Sequence, residues 1–109
     1  MIWTAWNNGK NHKTGAGYGL KIPLADRDPH FDRRWRTVFI ELPSGKSHIT
    51  VEANVAKDSF WGAQCRELIS RDIGRWLIDE GHAPWPEGSP PNFEAVLLAD
   101  RRFRVKGRK

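Results

Sequence analysis

The stretch from Trp61 to Leu77 constrains this chain more than any other. Trp61, Cys65, Leu68, Ile69, Ile73, Trp76 and Leu77 recur at three- and four-residue steps, which lays one apolar stripe along a helix. The spacing predicts a helix over about 60–80, with Asp58 or Ser59 as N-cap and Gly81 as the left-handed stop. At 1.5 Å per residue such a helix is about 30 Å long, roughly the width of a small domain. Its stripe then needs a sheet face to lie on. Arg66, Glu67, Arg71, Arg75 and Asp79 would form its wet side.

The rest of the chain alternates with period two, as half-buried strands do. Ile2 to Trp6 is a short aromatic strand. Ala16, Tyr18, Leu20, Ile22 and Leu24 share one parity, with Gly17 and Gly19 on the other, so this strand has a bare outer face. Residues 25–36 are expected as a charged loop. Thr37–Leu42 and Ser47–Ala53 are expected to form a hairpin about a turn at Pro43-Ser44-Gly45-Lys46, pairing Ile40 with Ile49 and Val38 with Val51 inside, and Glu41 with His48 and Phe39 with Thr50 outside. The Pro-rich run 82–91 reads as a crossing loop anchored by Trp85. Phe93–Leu98 reads as a last strand running on toward Val105.

The order is therefore ββββαβ. It predicts an α+β domain: a mainly antiparallel sheet of roughly five to six strands, with one long amphipathic helix on one face. A chain of 109 residues holds one such domain, drawn at 1–105 with a basic tail at 106–109. With 39% hydrophobic and 28% charged residues, it fits neither a disordered segment nor a membrane-embedded one. A single cysteine, Cys65, excludes an intramolecular disulfide and is expected on the buried stripe. No leader and no apolar run of membrane-spanning length is read, so a cytoplasmic protein is expected.

Charge placement carries the functional signal. The net charge is +5, yet residues 101–109 hold six of the 18 basic side chains and no acid. What remains is close to neutral, at 12 basic against 13 acidic groups. A second cationic group, Arg33-Arg34-Trp35-Arg36, places an aromatic ring among guanidiniums. Single-stranded nucleic-acid sites use this combination, with bases stacking on the ring and phosphates on the cations. A plainer reading has Trp35 plugging the sheet edge.

Other patterns point less far. Gly15-Ala16-Gly17-Tyr18-Gly19 leads into a strand where a dinucleotide loop would lead into a helix, so no phosphate loop is assigned. Asp28, His30 and Asp32 could ligate a metal, but arginines at 27, 33, 34 and 36 neutralise them, so a paired charged loop is expected and no metal or cofactor. His12, beside Lys10 and Lys13, and His30 are the only candidates for catalysis.

The leading expectation is a small non-enzymatic protein that contacts nucleic acid through Arg33, Arg34, Trp35, Arg36 and the terminal cations Arg101, Arg102, Arg104, Lys106, Arg108 and Lys109. It requires the C-terminal end to lie beside Trp35. A second expectation is a homodimeric protein- or small-ligand-binding module whose site is the open sheet face, with Trp3, Gly17, Gly19, Phe39 and His48. A third is a metal-free nuclease using His12 or His30.

Overall fold

In the computed structural model, which describes every residue except Asn11 and Cys65, the run at 37–54 forms its hairpin with longer arms and a shorter turn than expected. Strands β3 (Thr37–Ser44) and β4 (Ser47–Asn54) pair antiparallel around Gly45 and Lys46 alone. Gly45 has φ 60, the sign that a type II′ turn requires at its first central residue. Pro43 lies in the strand and pairs with His48, so the register moves by two residues. Ile40 faces Val51, Val38 faces Ala53, Glu41 faces Thr50 and Phe39 faces Glu52. A shift of two preserves parity, so Val38, Ile40, Val51 and Ala53 still point inward, but Ile49, expected inside opposite Ile40, pairs with Leu42 near the turn and is exposed.

The long helix does not form, and the single-helix α+β architecture is corrected accordingly. The stretch from 58 to 80 divides into a one-turn helix α2 (Asp58–Trp61), a strand β5 (Glu67–Ile69) and a nine-residue helix α3 (Arg71–Asp79). Ser70 supplies a competing start, its side-chain oxygen accepting the Asp72 N–H at 3.1 Å. Upstream of it, β5 adds to β2 (Tyr18–Lys21). Gly19 permits this approach, because a Cβ there would collide with the Leu68 carbonyl. Gly81, with φ 77, ends α3 as expected. The expectation for Cys65 lies outside the described residues.

Two further corrections concern segments read as uniform. Part of the charged loop is a helix, α1 (Leu24–His30), begun on Pro23, whose carbonyl accepts the Asp26 and Arg27 N–H groups. Its Arg27 is buried and donates to the Phe60 and Gly62 carbonyls at 2.9 and 2.6 Å, so tertiary contacts hold a segment that Pro29 would otherwise loosen. The last apolar run is two strands, β6 (Asn92–Ala99) and β7 (Arg102–Arg108), turning at Asp100 and Arg101. Arg101 takes φ 63, a turn residue that sequence signals miss because it is neither Gly nor Asn.

With β1 (Ile2–Asn7), the seven strands form one sheet in the order β4-β3-β7-β6-β1-β2-β5. The β3–β7 pair is parallel and the others antiparallel, so the sheet is mixed. It curls into a nearly closed barrel with only short helices. Its concave side is a single core. Phe31 stacks on Phe103 at 4.6 Å between centroids, Trp3 and Phe60 join these rings, and Trp76 of α3 meets Phe93 at 5.2 Å. The C-terminal cations are thus a strand two places in from the β4 edge. Among the described residues no helix is long and apolar enough to cross a membrane.

Candidate nucleic-acid interface

Trp35 follows a turn in which its N–H donates to the Asp32 carbonyl at 3.0 Å. Its indole is half-buried and rests on Phe31 at 6.3 Å, so one side belongs to the core while the rest stays open. From there the chain enters β3, where Trp35, Thr37 and Phe39 share a parity and Val38, Ile40 and Leu42 turn inward.

The turn between β6 and β7 comes to this place. Arg34, Trp35, Arg36, Thr37 and Arg101 line one cleft of about 420 Å³. Arg101 is held firmly: its Nε donates to the Thr37 carbonyl and its Nη2 to Thr37 Oγ1, each at 3.0 Å, and its guanidinium stands 5.4 Å from the Phe39 ring centroid. Thr37 Oγ1 in turn donates to Glu52 at 2.7 Å. Arg34 is engaged by Asp32, with Nη2 to Oδ2 at 2.6 Å. Hydrogen bonding from Arg34 holds the Asp32 carboxyl down at about 2. Arg36 is exposed and has no ion pair among the described residues.

Further along, Arg102 sits opposite Phe39 and Arg104 opposite Glu41. Both guanidiniums grip Glu41, Arg102 Nε at 2.7 Å and Arg104 Nη2 at 2.7 Å, and these bonds lower the Glu41 pKa. Two cations share one carboxylate, so the row stays positive on balance.

The expected contributors separate into those this place gathers and those it does not. Arg34, Trp35, Arg36 and Arg101 share the cleft, and Arg102 and Arg104 continue from it along β7. Arg33 is outside this cleft: it stands 5.5 Å from the Trp61 ring centroid, reaches Asp58 at 3.9 Å, and lines the neighbouring cleft on the other side of Trp35. Lys106 and Arg108 lie further along β7 and Lys109 just past its end, about 13, 20 and 23 Å from Arg102 at roughly 3.3 Å per residue. There Arg108 pairs with Phe93 and the Lys109 N–H donates to the Asn92 carbonyl.

Trp3, Gly17, Gly19, Phe39 and His48 do not make one surface. Trp3 is fully buried, which corrects its placement on an open face. A Cβ at Gly17 would meet the Asn8 side chain, and β5 covers Gly19. Phe39 and His48 alone face outward. His12 and His30 line different cavities, His12 with Tyr18, Ile78 and Pro84, His30 with Asp32 and Trp35. In the Asp28–Asp32 stretch both carboxylates are paired, Asp28 with Arg27 at 2.9 Å and Asp32 with Arg34. Sequence reasoning missed Thr37, Leu97 and Asp100. Only the parity of Trp35, Thr37 and Phe39 could have signalled the first, and the β6–β7 turn that brings in the others leaves no local mark.

Fold and site together define a small mixed-β protein with a cationic, aromatic-walled cleft where a loop meets a hairpin turn. Comparison with known protein families, with curated proteins and with solved structures finds no match.

Proposed function

We propose that this is a nucleic-acid-binding protein that acts by binding rather than catalysis, through the cleft of Arg34, Trp35, Arg36 and Arg101. One observation supports the reading: residues some 65 positions apart in sequence line one cleft with three arginines and a tryptophan. The cations supply phosphate contacts and counterion release, and the ring supplies a stacking surface indifferent to base identity. Thr37 contributes by holding Arg101 in place, its hydroxyl being engaged by Arg101 and Glu52. The row through Arg102 and Arg104 extends the positive surface along β7.

Fluorescence anisotropy with a labelled oligonucleotide tests this. If three phosphates are engaged, raising salt from about 50 to 200 mM weakens binding about twentyfold, from a slope near −0.7 per phosphate for single strands. Arg36→Ala removes one contact and flattens that slope by close to one third. Affinity that ignores salt, or no binding at micromolar protein, overturns the proposal.

A further inference from the structure

Trp35 is the common wall of two clefts, one lined mainly by arginines and one with more apolar walls. On one side are the cations and Thr37. On the other lies a cleft of about 450 Å³ with Pro29, Phe31 and Leu97 as apolar walls and His30, Asp32, Arg33 and Asp100 as its polar residues. Asp100 is exposed and has no ion pair among the described residues. The first cleft gathers three arginines and suits a phosphate; the second sets Arg33 against Asp32 and Asp100, with Asp32 already held by Arg34, and so has no cationic excess to offer one. A flat, mostly apolar ring bearing N–H donors suits the second, with the indole to stack on and carboxylate oxygens to accept.

Resting on the nucleic-acid reading, we infer that the site takes an unpaired, unstacked nucleotide of a single strand, its base beside Trp35 in the Pro29/Leu97 cleft and its own and adjoining backbone phosphates along Arg34, Arg36 and Arg101. In a duplex both faces of each base are covered by neighbours, and opening a step costs a few kcal/mol. A single strand presents its bases freely. The indole, backed by Phe31, is a rigid platform for one of them.

Arg101 is the positioning residue on the phosphate side. It alone among the described non-glycine residues has a positive φ, at 63. Its guanidinium is fixed by Thr37 and by Phe39 before any ligand arrives, so little side-chain freedom is lost on binding. Phe39 lies beyond it as a second ring for a strand leaving the cleft.

The experiment compares a labelled twelve-nucleotide oligothymidylate with the duplex it forms with oligoadenylate, against the full chain at low salt. The single strand is expected to bind at least tenfold more tightly. Trp35→Ala should weaken single-strand binding about tenfold or more, the usual effect of losing one stacked base, and leave duplex binding nearly unchanged. Trp35→Phe should retain most of the affinity. Arg101→Gly places the residue best suited to a positive φ there, so the fold should persist by thermal melt while single-strand affinity falls. Equal affinity for the two nucleic acids, or full single-strand affinity in Trp35→Ala, overturns this inference and leaves the broader reading standing. Failure to bind either overturns the broader reading as well.

Discussion

Glu41 shows how one side chain sets the character of a surface. It sits on the outward row of β3, where the parallel register with β7 puts Arg104 opposite it and Arg102 two pairs away on the same face. A free glutamate titrates near 4.5; here the two guanidiniums hold the carboxyl lower. The ion pair therefore stabilises the fold at and above pH 4.5, and that contribution drains away as pH falls through the lowered value. Glu41→Gln is expected to cost about 1 kcal/mol at neutral pH, since the arginines are partly solvated. In urea unfolding the gap to the parent protein should narrow steadily below pH 4.5. A gap that holds constant into acid would mean that shape, not charge, is what Glu41 contributes. The outward direction of Glu41 is legible in the sequence from its parity with Phe39. Its partners are not, because nothing local announces a parallel neighbour 60 residues away.

At the scale of elements, the apolar stripe of 61–77 misleads for a definable reason. Leu68 and Ile69 fit helical spacing from Trp61 and from Ile73, yet they also fit a short strand. The choice is made by Gly19, whose missing side chain lets the Leu68 backbone close against β2, and by Ser70, which starts a fresh helix. A second glycine contact fixes where α3 lies: a Cβ on Gly74 would strike the Gly15 carbonyl. In an isolated helix, Gly→Ala gains about 1 kcal/mol. Here Gly74→Ala should instead lose about 2–3 kcal/mol through overpacking against backbone that cannot step aside. Chemical denaturation decides the sign. A more stable variant would show that α3 is free to move off the Gly15 loop.

For the whole molecule, the position of β7 matters most. The basic C-terminal residues look detachable in the sequence. In the fold they stand between β3 and β6 and carry Phe103 and Val105 into the core. A chain ending at Asp100 would lose that strand from the middle of the sheet and leave two long edges unpaired. It is expected to lose cooperative thermal unfolding by circular dichroism. Retention of a sharp transition would show that the sheet closes without β7. The same centrality gives the cleft its rigidity, since Arg101 begins a strand anchored on both sides.

The sequence by itself determined what depends on neighbours a few residues away. This covers that Val38, Ile40, Leu42, Val51 and Ala53 point inward, though not that Ile49 stays exposed. It also covers that a hairpin joins β3 and β4, that Gly81 ends a helix, and that Trp35 stands among arginines. Period-two alternation, glycine's access to positive φ and simple adjacency are properties of the local chain, so they survive any tertiary arrangement. Only the folded structure decided that the sheet curls toward closure, that Trp3 turns inward, and that Arg101 meets Trp35. These depend on a parallel pairing and on close backbone approaches between distant segments, whose free energy comes from burying a shared core and leaves no periodic trace in either partner.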